Sequence, residues 1–211
     1  MTDDRTVAPA GLVLRAEGVR KVYRSGGHDL EVLRGINIEL REGETVAVTG
    51  ASGVGKSTLL HILGALDHPS EGRLHIRDVD VLGLDDDARA EFRNRHVGFV
   101  FQFHNLLPEF TAMENVMMPA LIARHADGME LRARELLSLV GLDHRLEHRP
   151  GELSGGECQR VAVARALIMK PELVLADEPS GNLDHESSGR LHSLLRELAR
   201  VENQAILVMT H

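Results

Sequence analysis

Short apolar runs alternate with longer stretches of helical periodicity along nearly the whole chain. Runs at 12–14, 36–40, 45–49, 74–76, 97–101, 173–176 and 205–209 predict strands. Between them, apolar positions recurring at three to four residues predict helices over 57–66, 86–95, 129–140, 156–169 and 186–201. The runs at 45–49, 97–101, 173–176 and 205–209 are almost continuously apolar, as parallel strands covered on both faces require. Gly35-Ile36-Asn37-Ile38-Glu39-Leu40 alternates instead, which predicts an antiparallel sheet at one edge. Residues 108–150 are rich in Met and Leu, helical in pattern and without a convincing strand, so they read as a helical insertion into an α/β core. Gly26-Gly27 reads as a simple turn.

One of these boundaries carries chemistry. The strand at 45–49 leads into Gly50-Ala51-Ser52-Gly53-Val54-Gly55-Lys56-Ser57 and then a helix, the context a P-loop needs. Backbone N–H groups of such a loop turn inward around phosphate oxygens, and the helix N-terminus adds a favourable dipole. Lys56 is placed to reach the β- and γ-phosphates and the Ser57 hydroxyl to ligate Mg²⁺. A second boundary, Leu173-Val174-Leu175-Ala176-Asp177-Glu178-Pro179, ejects two carboxylates at a strand's C-terminal end, where ligand sites of open α/β sheets lie. Asp177 suits the Mg²⁺ shell and Glu178 the general base that polarises water.

A third stretch, Leu153-Ser154-Gly155-Gly156-Glu157, admits two readings. Ser154-x-x-Glu157 is a capping box, which by itself only starts a helix. Two glycines in a first turn, each costing up to about 1 kcal/mol in a helix interior, favour close approach of something to bare N–H groups, a phosphate above all. It has no lysine and cannot complete a nucleotide site alone.

Composition narrows the setting. A net charge of −8 argues against a general nucleic-acid binder. The lone Cys158 excludes an intrachain disulfide and fits a reducing cytosol. The acidic N-terminus lacks the apolar stretch of a signal peptide, and no run approaches the roughly 18–20 apolar residues that span a bilayer. His61, His68, His75, His96 and His125 show no metal-ligand spacing and read as solvated or helix-terminal.

The P-loop, the Leu-Ser-Gly-Gly-Glu turn and the Asp177-Glu178 strand end, in this order, resemble the nucleotide-binding domain of ATP-binding cassette (ABC) transporters over essentially the whole chain. The resemblance implies a P-loop NTPase fold: a RecA-like core with an antiparallel β subdomain and an inserted helical subdomain. Residues 1–211 are then one domain, with core and β subdomain at about 11–107 and 151–211 and the helical subdomain at 108–150. It implies ATP hydrolysis with Mg²⁺, catalysed by Glu178, Lys56 and His211. ATP would be held by Tyr23, stacking on adenine, by Gly50, Ala51, Ser52, Gly53, Val54, Gly55, Lys56, Ser57 and Thr58, and by Gln102. Mg²⁺ would be held by Ser57, Gln102 and Asp177. Ser154, Gly155, Gly156 and Glu157 would read the γ-phosphate of ATP on a second copy, making a homodimer the working unit. Ser180-Gly181-Asn182-Leu183-Asp184 resembles the D-loop that crosses that interface.

Within the family, residues 102–116 and 144–150 are similar to the branch that releases lipoproteins from the bacterial inner membrane. That branch implies a peripheral subunit on the cytoplasmic face, bound to integral membrane permeases through the 102–116 region and without direct contact with cargo. Related macrolide-exporter (MacB-type) and cell-division (FtsE-like) ATPases share the 177–184 motif and stay open as alternatives. Phe103, Phe110, Met113, Met117 and Met118 are expected to divide between a permease-facing surface and the insertion's own core. Two departures stand out. Cys158 replaces the more usual Arg or Gln, and family members continue beyond the position of His211 with an aspartate, another helix and further strands, which implies either a truncated end or a histidine without its usual support.

Overall fold

The computed structural model describes residues 11–26, 28–51, 53–125 and 127–210. Two four-stranded sheets form its frame. The first is antiparallel, in the order β2-β1-β4-β5, built from β1 (Leu12–Ser25), β2 (His28–Arg41), β4 (Glu71–Ile76) and β5 (Val79–Asp80). The second is parallel, in the order β3-β8-β7-β6, built from β3 (Thr45–Thr49), β8 (Ala205–Thr210), β7 (Leu173–Asp177) and β6 (Val97–Val100). Its crossovers carry α1 (Lys56–Leu63), α2 (Asp86–His96), α5 (Gly155–Leu167) and α6 (His185–Glu202), while α3 (Ala112–Ile122) and α4 (Met129–Leu139) lie in the chain between β6 and α5.

The parallel sheet separates two cores, which explains its continuous apolar runs. On β7, Val174 and Ala176 join the core made with α3, α4 and α5, while Leu173 and Leu175 join the one made with α1 and the antiparallel sheet. Alternate side chains of one strand point to opposite faces, and here both faces are dry. β3 departs from the expectation of two covered faces. It is an edge strand, and Thr45, Ala47 and Thr49 are exposed while Val46 and Val48 are half-buried. The helical-side core takes in residues of β6, β7 and β8 but none of β3.

The first hairpin is much longer than its apolar fragments suggested. Its distal part is largely polar, with Leu33 buried and Val32 packed against the core, and backbone pairing carries the rest, with ion pairs Arg20–Glu31 (2.5 Å) and Arg24–Asp29 (3.3 Å) across the strands. Of the apolar side chains expected to divide between surface and core, Met113 is buried, Met117 packs against the core, Met118 is half-buried, and Phe103 and Phe110 are exposed. His61 and His96 sit in last helical turns, His96 pairing with Glu172 at 3.0 Å.

Close packing of α5 on β6 sets one sharp requirement. A Cβ on Gly98 would lie 2.4 Å from the Ala166 carbonyl oxygen and 3.2 Å from Pro171 Cγ. Backbone cannot yield as a flexible side chain does, so Gly98→Ala is expected to lose about 1–3 kcal/mol of stability. Urea unfolding should show a lowered midpoint with an unchanged slope.

Candidate functional site

The C-terminal ends of β3, β7 and β8 converge on one edge of the parallel sheet, in register through Thr49–Thr210 and Asp177–Met209. β3 turns there into Gly50–Gly55, and α1 starts at Lys56. Gly55, the N-cap of α1, has φ +101°, and a Cβ on it would fall 2.7 Å from Val32 Cγ1 and 3.3 Å from the Val32 carbonyl. Only glycine fits between the loop and β2. Gly53 faces open space, with nothing within 4 Å of its Cβ direction. Ser57 is exposed and Thr58 half-buried in the first turn of α1. The Lys56 ammonium is buried; it donates to the carbonyls of Gly50 at 2.6 Å and Ala51 at 3.2 Å, and lies 3.8 Å from Glu178 Oε1. The two halves of the expected catalytic centre therefore meet. Ser52 and His211 lie outside the described residues.

Glu178 follows β7 with φ +44°, a left-handed conformation uncommon outside glycine and asparagine. Two bonds hold it there: its N–H donates to the Met209 carbonyl at 3.0 Å, and its carbonyl accepts the Gly181 N–H at 2.9 Å. Such strain persists only where the surroundings impose it, and it clusters at functional sites. Asp177, in register with Met209, ends the same strand. The Asp177 carboxylate, the Ser57 hydroxyl and the Gln102 amide oxygen are hard-oxygen donors of the kind Mg²⁺ takes, and the P-loop N–H groups and Lys56 suit phosphate.

Gln102 is tied to the 180–184 turn. Its side chain lies over Gly181, where an added Cβ would be 2.9 Å from Nε2, and its carbonyl accepts from Asn182 Nδ2 at 3.1 Å. Three further side chains brace the following loop. Gln159, buried in α5, donates to the Phe101 carbonyl at 2.8 Å. Arg165 donates to the carbonyls of His104 and Asn105 at 2.8 and 2.7 Å. Buried Asn115 donates to the carbonyls of Leu107, Phe110 and Thr111 and accepts the Leu107 N–H. None of the three was singled out from the sequence. Polar residues inside apolar helical patterns were the available signal, since a buried amide or guanidinium needs partners.

The second glycine turn shows both of its readings at once. Ser154 caps α5, its hydroxyl accepting the Glu157 N–H at 3.3 Å while Glu157 Oε2 accepts the Ser154 N–H at 2.8 Å. Gly155 has nothing within 4 Å of its Cβ direction. The bare turn, Arg160 and the 182–184 segment line one open groove of about 420 Å³. Cys158, just behind, is buried, and burial pushes its thiol up. Tyr23, on β1, is 40% exposed, and its hydroxyl donates to Asp67 beyond the C-terminal end of α1 at 3.2 Å.

A P-loop closing on a strained glutamate, with a second glycine turn starting α5 and lining a groove of its own, is the arrangement of an ATP-binding cassette. Residues 33–181 match the model of the ABC transporter family, and the chain belongs to that family as an ABC transporter ATPase. It is 55% identical over 201 residues to the lipoprotein-releasing system ATP-binding protein LolD of Geobacter metallireducens, covering 94% of this chain and 89% of that one. The LolD protein of Hahella chejuensis is 54% identical over 200 residues, covering 94% and 87%. Among solved structures, the dimeric post-hydrolysis state of the ATP-binding cassette MJ0796 bound to ADP and Pi superposes with a TM-score of 0.86. It is 38% identical and covers 94% of this chain and 88% of that one.

Proposed function

We propose that this chain is the ATP-hydrolysing subunit of a transporter that releases lipoproteins from the inner membrane for transfer to the outer membrane. The observation that carries it is the 54–55% identity to LolD proteins over 94% of the chain. Lys56 and the N–H groups from Gly50 to Thr58 bind the triphosphate, and Tyr23 offers its ring to adenine. Ser57, Asp177 and Gln102 would hold Mg²⁺, which would supply positive charge against the developing charge of the phosphates. Glu178 takes a proton from the attacking water, and His211 contacts the γ-phosphate oxygens. Ser154, Gly155, Gly156 and Glu157 serve the nucleotide of a second copy, and the dimeric structures of the cassette MJ0796 support that association.

The pulling force leaves through LolC/LolE-like permeases at the cytoplasmic face of the inner membrane, so this chain never contacts the lipidated cargo. Among the described residues no helix is long and apolar enough to cross a membrane. A groove of about 460 Å³, lined by Leu66, Asn94, Phe101, Asn105, Ile122 and Arg165, opens beside the braced 102–111 loop. Phe103, 70% exposed, and Ile122, 68% exposed, give the region apolar anchors for a permease helix.

Co-purification from the native membrane tests the assignment. Recovery of lipoprotein-release permeases supports it, and recovery of a macrolide exporter or of division proteins alone overturns it. Phe103→Ser is expected to weaken permease capture about tenfold or more while leaving ATP binding unchanged.

A further inference from the structure

The two stretches that distinguish this chain's branch, 102–116 and 144–150, lie against each other. The first turn of α3 donates its N–H groups to the second stretch: Ala112 to the His148 carbonyl at 2.8 Å and Met113 to the Leu146 carbonyl at 3.0 Å. These are donors that a helix start otherwise leaves without intrahelical partners. From the same stretch, Arg145 reaches the second glycine turn. Its Nε donates to Glu157 Oε1 at 3.2 Å, and its Nη1 donates to His148 Nε2 at 3.0 Å. The Glu157 side chain is 16% exposed, and its other oxygen accepts the Ser154 N–H. Bonds with the Ser154 backbone and hydroxyl, joined by the charge of Arg145, hold the Glu157 carboxyl below the usual carboxylate range.

The capping box joins Ser154 to Glu157 but ties neither to anything outside α5. Gly155 and Gly156 are permissive, so the direction of their N–H groups is set by what anchors their neighbours. Arg145 supplies the anchor. Its planar fork meets a carboxylate and an imidazole together, on a segment itself hydrogen-bonded to α3.

We propose that Arg145 is a positioning residue of the composite ATP site, fixing through Glu157 where the Ser154–Glu157 turn presents itself to the nucleotide of a second copy. The proposal rests on the reading of that turn as acting in trans. Among the described residues, the side-chain bonds of Arg145 run to Glu157 and His148 and none to the P-loop, so its loss acts on association and not on the P-loop.

The test uses the full chain carrying Glu178→Gln, with ATP-dependent dimerisation followed by analytical ultracentrifugation and ATP affinity measured at monomer concentrations. Adding Arg145→Met is expected to raise the dimer dissociation constant about tenfold and to move monomer ATP affinity less than about twofold. Arg145→Lys, which keeps the charge but not the fork, is expected to fall between. An Arg145→Met chain that dimerises like its parent, that loses monomer ATP binding too, or that Lys does not improve upon overturns the proposal. A parent that binds ATP yet stays monomeric overturns the sandwich itself, and this proposal with it.

Discussion

Glu178→Gln is expected to lower ATP hydrolysis by about 10²–10⁴-fold, leave ATP binding within about twofold, and accumulate an ATP-bound dimer. The amide keeps the size and shape of the carboxylate but cannot take a proton from water. The backbone bonds to Met209 and from Gly181 that hold residue 178 in its left-handed conformation do not involve the side chain, so the turn survives the change. Lys56 Nζ loses a carboxylate 3.8 Å away and keeps the carbonyls of Gly50 and Ala51. Binding and chemistry are thus separable at this residue. Steady-state hydrolysis, equilibrium ATP binding and sedimentation together check it, and an ATP-saturated monomer would count against the sandwich.

The second large effect separates the two cradles. Lys56→Ala alone and Ser154→Arg alone should each lose hydrolysis by about 10²-fold or more, the first through its own phosphates and the second through its partner's. Mixed in equal amounts, they should recover up to about a quarter of the parent rate. In a two-fold dimer half of random pairs are mixed, and each mixed pair holds one complete site. Ser154→Arg also removes the α5 cap, which costs about 0.5–2 kcal/mol. That is small against the roughly 5–15 kcal/mol of a typical domain, so the chain should stay folded. No recovery in the mixture would overturn completion in trans.

The site was legible wherever chemistry forced a residue type onto a local frame. Gly55 had to be glycine because β2 passes 2.7 Å from where a Cβ would sit, and Lys56 had to follow it at the helix start. The pairing of Lys56 with Glu178 was legible only as order along the chain, since 122 positions separate them. The long hairpin and α3 were less visible. The distal halves of β1 and β2 are largely polar and held by cross-strand bonds, and their few apolar positions leave only a weak period to find. α3 carries Pro119 inside it, which reads as a helix breaker until neighbouring elements are seen to accept it.

Local rules determined the two glycine turns, the strand that ejects Asp177 and Glu178, the continuous apolar runs and the capping box at Ser154. Each depends on residues within a few positions of one another, where stereochemistry and periodicity act directly on sequence. What only the tertiary structure decided lies between distant segments. It left β3 at an edge, buried Met113, braced the Gln102 loop with Gln159, Arg165 and Asn115, and set Arg145 against Glu157. Those contacts arise from packing two sheets and a helical layer around shared cores, and partners brought together that way leave no mark in the spacing of either one.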